Sequence, residues 1–220
     1  PCYTKLARDD HVPDAIISRL SAENKEQVAY QVAKFVNYEQ FPTENTAWYT
    51  KGVGIASAEG NPADKVYMDQ NREALLGAMF NHIDQIYDPR ASKADVTKAV
   101  NEGRSLINYL GHGSSTSWGT TYFNNTDASN LTNGWMQPII FDVACVNGKF
   151  VNFFCFGEAW MRSGSITKPA GAVTYCGSTT NMQWVPPIKV QEEFNKELIA
   201  KEVYKTVGGI FTNGIIKGLE

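Results

Sequence analysis

The sequence has few of the residues that mark specialised protein classes. It has four cysteines in 220 residues and no C-x-x-C pair, so a zinc site of the usual spacing is not indicated. No apolar run is long enough to cross a bilayer. Acidic and basic residues are interspersed and give a net charge of -3, which leaves no basic stripe for a nucleic-acid backbone. The sequence therefore predicts neither nucleic-acid binding nor a membrane segment.

The remaining composition is that of an ordinary globular protein, with 43% hydrophobic and 20% charged residues. The length suits one large domain, or one domain with a remnant of another. The chain begins at Pro1 without a signal-like segment, so we expect it to be part of a longer protein. A domain of this size does not need disulfides, and we expect free thiols at all four positions: Cys2, Cys145, Cys155 and Cys176.

Apolar strands alternate with helices from residue 53 onward. Strands are predicted over 53–59, 83–88, 105–113, 137–145 and 170–179. Helices are predicted over 64–82, 92–103, 155–163, 189–200 and 202–217. Continuously apolar strands between helices are typical of a mostly parallel sheet covered on both faces. We therefore predict an α/β protein with a three-layer α/β/α sandwich.

The first fifty residues show a different pattern. A short strand is predicted over 11–20, and a polar linker over 41–52. Between them, 21–40 predicts an amphipathic helix capped by Ser21 or Asn24. Its apolar face is predicted to consist of Val28, Val32, Phe35 and Val36.

Chemically useful side chains stand where the predicted strands end. In parallel sheets, sites collect at the carboxyl ends of strands, where loops leave the scaffold. Those ends carry Glu59, His112, Cys145 and Ser178. A carboxylate, an imidazole and a thiol are thus predicted at one edge of one sheet.

A thiol beside an imidazole is a nucleophile for acyl transfer. The reaction also needs donors for the developing oxyanion, which the backbone N–H groups of Gly113 and Cys145 could supply. Gly111 is predicted to let the chain turn sharply before His112.

Other interpretations of these residues remain open. Cys145 could be a small buried residue, and His112 a surface one. Both could instead bind zinc with Cys176 as a further ligand. Glu59 could orient His112, bind substrate or cap the next helix. Cys155 and Cys176 lie in apolar surroundings and are predicted core thiols, and we assign no role to His11, in a polar loop, or to His82, late in a helix.

Two motifs together resemble a known family. "NYLGHGSSTSWGT" contains His112, and 33 residues later the cysteine of "IIFDVACVNG" is Cys145. This order and context resemble the catalytic domain of the gingipains, secreted cysteine endopeptidases with a caspase-like fold, and especially the arginine-specific members. The similarity covers nearly the whole chain. It implies His112 and Cys145 as the catalytic dyad, Gly113 and Cys145 amides as the oxyanion hole, and Glu59 as an acid contacting the histidine.

The resemblance transfers substrate specificity less directly. In the arginine-specific members, an aspartate some ten residues after the glutamate meets the substrate guanidinium. The segment is one residue shorter here, so the match falls on Asp69, with Asp64 as the second choice. Trp184 matches the tryptophan that lids the pocket, whereas Ile188 stands where the family has methionine, and Ser178 is placed with the substrate-binding residues. Asp69 could equally be a solvated helix acid, and Trp184 a core aromatic.

The resemblance also implies the wider setting of the chain. Residues 1–50 would be a remnant of an amino-terminal subdomain and 51–220 the catalytic subdomain. Substrates would be proteins or peptides, the location secreted or cell-surface, and further domains would complete the parent protein. Catalysis would need no cofactor, and a structural calcium is implied for which we assign no ligands. A lysine-specific peptidase and a non-catalytic peptide-binding or adhesion module of the same fold are the alternatives.

Overall fold

A computed structural model describes residues 4–7 and 13–219 of the chain. Its centre is a sheet of the strands β1 (Lys51–Ala56), β2 (His82–Tyr87), β3 (Leu106–Leu110), β6 (Ile139–Val143) and β7 (Thr174–Cys176). These five strands lie in the order β2-β1-β3-β6-β7, and every neighbouring pair is parallel. Two short strands, β4 (Gly113–Ser114) and β5 (Ser117–Trp118), form a separate antiparallel hairpin.

Helices cover both faces of the sheet. They are α1 (Lys25–Gln40), α2 (Asp64–Leu76), α3 (Lys93–Asn101), α4 (Asn125–Ser129), α5 (Phe156–Arg162), α6 (Val185–Glu192) and α7 (Val207–Leu219). A π-helical segment, Glu193–Ile199, extends α6. Alternate residues of each strand point to opposite faces of the sheet. Ile107 packs with residues of α3 and α5 on one face, whereas Leu106 packs with residues of α2 and the π-helical segment on the other. The predicted three-layer α/β/α architecture is confirmed.

The prediction for the buried face of α1 is wrong. Asn24 does cap this helix, because its side chain accepts from the N–H of Gln27. However, Val28, Val32 and Val36 are exposed, and the helix buries polar residues instead. Lys34 Nζ donates to the carbonyl oxygens of Met161 (2.9 Å) and Ala172 (3.0 Å). Hydrogen bonds to backbone carbonyls of the core, which periodicity does not reveal, determine which face is buried.

Other predictions before β3 also need correction. Residues 13–20 form no strand, and positions 11 and 12, including His11, lie outside the described residues, as does Cys2. The predicted linker ends in a short 3₁₀ helix, Ala47–Thr50, because Trp48 is buried in the core. The helix predicted over 64–82 ends at Leu76, and His82 begins β2 rather than ending a helix. The domain boundary at residue 50 stays a prediction.

Three adjacent strands end at the same level. Ala56 of β1 pairs with Leu110 of β3, which pairs in turn with Val143 of β6. The chain passes from β1 to β2 on one side of the sheet, while β3 adds on the other side. The crevice between β1 and β3 is therefore the switch point at which open α/β sheets bind ligands.

Candidate active site

His112 and Glu59 contact each other across this switch point. Glu59 lies three residues after β1 and His112 two residues after β3. Nε2 of His112 is 2.9 Å from Oε2 of Glu59, and both side chains are about 60% exposed (60% and 59%). A carboxylate on one ring nitrogen fixes the tautomer, so Nε2 carries the proton and Nδ1 remains for other partners. Of the three interpretations of Glu59, this contact favours orientation of the histidine.

Cys145 opens into the same cavity as His112. It follows β6 by two residues, as His112 follows β3, and both residues line one cavity together with Trp184. The thiol is half-buried, and the N–H of Met182 points at Sγ from 3.4 Å. The backbone N–H of Cys145 has no hydrogen-bond partner among the described residues. Cys145 therefore offers both a reachable sulfur and an unused backbone donor.

The glycines beside His112 are required by close packing. Neither one has a positive φ, so the bend of the chain that does occur at Gly111 needs no left-handed backbone. A Cβ on Gly111 would lie 2.7 Å from Oγ1 of Thr120. A Cβ on Gly113 would lie 2.8 Å from both Ala144 Cβ and Cys145 O. A side chain at Gly113 would push the histidine segment away from the cysteine segment, and one at Gly111 would displace Thr120.

Buried aromatic residues hold the backbone of His112. Its carbonyl oxygen accepts from the Tyr109 hydroxyl (2.6 Å) and from the N–H of Gly119 (2.7 Å). The Tyr109 ring stacks on Trp118 of the hairpin, with centroids 4.7 Å apart. Trp118 Nε1 donates to the buried carboxyl of Asp142, three residues before Cys145. Burial raises the pKa of Asp142 to about 7.

Asp64 lies beneath Trp184. Trp184 Nε1 donates to Oδ1 of Asp64 (2.8 Å), and the Ser57 hydroxyl donates to Oδ2 (2.6 Å). Asp64 is fully buried, and burial raises the pKa of its carboxyl, with the nearby Glu59 contributing. Trp184 also packs edge-on against His112, with ring centroids 5.0 Å apart. Trp184 thus lies between Asp64 and the cavity lined by His112, and its role as a lid stays a prediction.

The structure does not bring Asp69 to this cluster. Asp69 lies further along α2, where its Oδ1 accepts from Gln85 (2.6 Å) and Tyr87 (3.0 Å) of edge strand β2. In the sequence, counting about ten residues from Glu59 pointed to Asp69. The segment is one residue shorter here than in the arginine-specific gingipains, so this count did not identify the matching aspartate. Sequence reasoning kept Asp64 as second choice and missed Ser57, whose position directly after β1 was the available signal.

Ile188 and Ser178 have structural contacts here. Ile188 is buried in the apolar cluster that includes Leu110 and Trp184. Ser178 Oγ donates to the carbonyl of Thr180 (2.8 Å), and its own carbonyl accepts from Gly148 N–H (2.8 Å). Ile188 thus belongs to the apolar cluster on which Trp184 packs. Ser178 stabilises the loop after Cys145 through its hydrogen bond with Gly148. Their placement with the substrate-binding residues stays a prediction.

Zinc between His112, Cys145 and Cys176 has no support in this arrangement. Within residues 4–7 and 13–219, no three His, Cys, Asp or Glu side chains converge as metal ligands. Cys176 lies within β7, and burial raises the pKa of its thiol to about 12. Cys155 is buried as predicted, and all three described cysteines are free.

No helix within residues 4–7 and 13–219 is long and apolar enough to cross a bilayer.

Comparisons with known proteins agree on one family. The family model described as Peptidase family C25 matches residues 1–219. Gingipain R2 of Porphyromonas gingivalis is 38% identical over 228 residues, which cover 99% of this chain and 31% of the relative. Lys-gingipain of the same organism is 26% identical over 186 residues, covering 83% of this chain and 11% of the relative. The chain spans less than a third of these curated relatives.

Solved structures show the same relationship. The crystal structure of the Arg-specific cysteine proteinase gingipain R superposes with a TM-score of 0.94 and 36% identity, covering 99% of this chain and 53% of that one. The complex of pro- and mature domains from Porphyromonas gingivalis gives 0.92 at the same identity, covering 99% and 54%. The resemblance found in the motifs around His112 and Cys145 is confirmed, and the chain belongs to peptidase family C25.

Proposed function

We propose that this chain is the catalytic part of a cysteine endopeptidase that cleaves peptide bonds after arginine. The observation that carries the proposal is the placement of His112 and Cys145 at the ends of paired strands, lining one cavity. Membership of family C25 supports peptidase chemistry independently of this geometry. The natural substrates are then proteins or peptides, bound with the scissile bond over this cavity.

The chemistry follows from the two side chains. Sγ of Cys145 attacks the scissile carbonyl carbon, a C–S bond forms, and the C–N bond breaks to release the amine. Nδ1 of His112 accepts the proton of the Cys145 thiol and delivers it to that amine, while Glu59 holds Nε2. Water then hydrolyses the thioester and regenerates the thiol. His112 thus serves mainly the leaving group, and Cys145 ionises when substrate binds.

Two backbone donors stabilise the tetrahedral intermediate. The N–H of Cys145 has no hydrogen-bond partner within residues 4–7 and 13–219, and Gly113 lies so close to the Cys145 segment that an added Cβ would be 2.8 Å from Cys145 O. Oxyanion donors of this kind each contribute roughly 10²–10³ in kcat, because charge develops on the oxygen only in the transition state. The close packing of Gly113 against the Cys145 segment therefore brings the two N–H donors to the same oxyanion.

Arginine preference is assigned to Asp64 rather than Asp69. Asp64 lies under Trp184, which borders the cavity, whereas Asp69 is bonded to the edge strand. A guanidinium forms two parallel hydrogen bonds with a carboxylate and stacks on an indole, which an ammonium does less well. Entry of the arginine requires Trp184 Nε1 to release Oδ1 of Asp64. The higher identity to gingipain R2 than to Lys-gingipain also favours arginine over lysine.

The wider setting is part of the same proposal. Since the relatives are much longer, we propose that further domains belong to the parent protein and that it is secreted or surface-bound, as the gingipain resemblance implies. The resemblance also implies a structural calcium, and we assign no ligands to it, since no three His, Cys, Asp or Glu side chains converge among residues 4–7 and 13–219.

Cleavage of a mixed peptide library tests the proposal. We expect cuts after arginine that disappear in Cys145→Ala, whose thermal unfolding should match the unaltered chain because the thiol packs only partly. Cuts after lysine would indicate the lysine-specific alternative. Complete absence of cleavage, with peptide binding retained, would indicate the non-catalytic module.

A further inference from the structure

Asn147 connects the cysteine loop to the hairpin that begins at Gly113. It lies two residues after Cys145 and is fully buried, with 0% of its surface exposed. Its Nδ2 donates to the carbonyl oxygens of Ser114 (2.5 Å) and Ser117 (3.0 Å). These two residues are register partners in β4 and β5, so one amide nitrogen ties both strands of the hairpin together.

The backbone around Asn147 is itself anchored on two sides. Its carbonyl oxygen accepts from the N–H of Gly157 in α5 (3.0 Å). The next residue, Gly148, donates to the carbonyl of Ser178 after β7 (2.8 Å). The hairpin is therefore held by a side chain whose own backbone is fixed to the sheet and to a core helix. Movement of Asn147 would require movement of these elements.

The oxygen of the same amide occupies the space beside Gly113 that a side chain would need. Oδ1 of Asn147 would lie 2.6 Å from a Cβ on Gly113. This oxygen is buried and has no hydrogen-bond partner in the part of the chain that the structure describes. Leaving a buried acceptor unpaired costs free energy, so the amide is held here by its two donor bonds and by the contact with Gly113. One side chain thus sets both the hairpin's attachment and the position of its first residue.

We propose that Asn147 is a positioning residue that fixes the Gly113 N–H at the oxyanion site relative to Cys145. This inference rests on the proposed function and extends it to a residue that does not touch the substrate. Oxyanion donors act through preorganisation, and small displacements reduce the rate steeply. Because Asn147 holds Gly113 and not the thiol, its loss should weaken transition-state binding while sparing the reactivity of Cys145.

Asn147→Asp is the informative variant, because it keeps the shape and removes the donor nitrogen. Asn133→Asp is its matched control. Asn133 is also buried, and its Nδ2 also donates to two carbonyls, those of Met136 (2.7 Å) and Gly171 (2.9 Å), outside the active site. Equal losses of thermal stability are expected in the two variants. Asn147→Ser, which retains a single donor, replaces Asn147→Asp in the same comparison if the aspartate variant does not fold.

Three kinetic readouts separate positioning from general damage. For an arginyl peptide amide, Asn147→Asp should lose about 100-fold in kcat with KM within about twofold. The affinity for a peptidyl arginine aldehyde, whose adduct places an oxyanion at the same site, should fall in parallel. Alkylation of Cys145 by iodoacetamide needs no oxyanion hole and should change less than about threefold. Asn133→Asp should leave all three unchanged.

Other outcomes overturn the inference. If both variants lose kcat in proportion to their loss of stability, or if alkylation slows as much as turnover, Asn147 is only structural. Hydrogen exchange of the 113–118 amides in the free protein tests the clamp without activity, and Asn147→Asp should speed it at least tenfold. Unchanged exchange would refute the clamp, whereas accelerated exchange in a chain that never cleaves arginyl peptides would refute the proposed function alone.

Discussion

Nε2 of His112 lies 2.9 Å from a carboxylate oxygen of Glu59, although 53 residues separate the two in the sequence. The pair joins the loops that follow β1 and β3, and more than half of each side chain is exposed to solvent. An exposed pair contributes little to stability, so its role here is to orient the imidazole.

Glu59→Gln should therefore reduce kcat modestly. The amide oxygen still accepts from Nε2 but no longer stabilises a protonated imidazole, and for an exposed pair we expect a loss of about fivefold or less. Steady-state kinetics on an arginyl peptide amide measure this. The control is Glu197→Gln. Glu197 lies in the π-helical segment and forms an exposed ion pair with Lys201, so its replacement should leave kcat unchanged. A loss of a thousandfold in Glu59→Gln would instead assign Glu59 a direct chemical role.

Asp64→Asn should lower kcat/KM for arginyl substrates, whereas Asp69→Asn should not. Removing the charge at Asp64 leaves a buried guanidinium without its partner, so kcat/KM for arginyl substrates should fall by the equivalent of about 2–4 kcal/mol. Asp69→Asn should leave kcat/KM nearly unchanged, because in the described part of the chain its carboxylate accepts hydrogen bonds from Gln85 and Tyr87 and not from the site. Thermal unfolding of both variants controls for misfolding. A drop confined to Asp69→Asn would return the specificity role to Asp69.

Asp142 should make stability depend on pH. Burial raises the pKa of its carboxyl to about 7 in the folded chain, against about 4 when unfolded. Between these values the folded state holds a proton that the unfolded state has released, so stability falls as pH rises from about 4 to about 7. The slope contributed is at most about 1.4 kcal/mol per pH unit.

Denaturant unfolding at several pH values measures this contribution. Asp142→Asn should remove the slope between pH 4 and 7 while keeping an acceptor for Trp118 Nε1. An unchanged slope in Asp142→Asn would show that Asp142 is ionised throughout that range.

Sequence patterns predicted the scaffold and the dyad better than the pocket. Continuous apolar strands fix a parallel sheet, and parallel strands bring their carboxyl ends together, so Glu59, His112 and Cys145 follow directly. The guanidinium partner depends on how a shortened loop enters α2, which residue counting does not determine. Asn147 depends on side-chain bonds to backbone carbonyls, and the valine stripe of α1 failed as a guide because Lys34 bonds such carbonyls.

The most direct test of the account is covalent labelling by a peptidyl arginine chloromethyl ketone, read by peptide mass spectrometry. The account predicts one adduct, on Cys145, that is absent in Cys145→Ala and forms much more slowly in His112→Ala. Cys155 is buried and Cys176 is partly buried against the apolar core, and both serve as internal controls that should stay unlabelled. An adduct on another thiol at a comparable rate, or no adduct on Cys145, would contradict the assignment of this residue as the nucleophile.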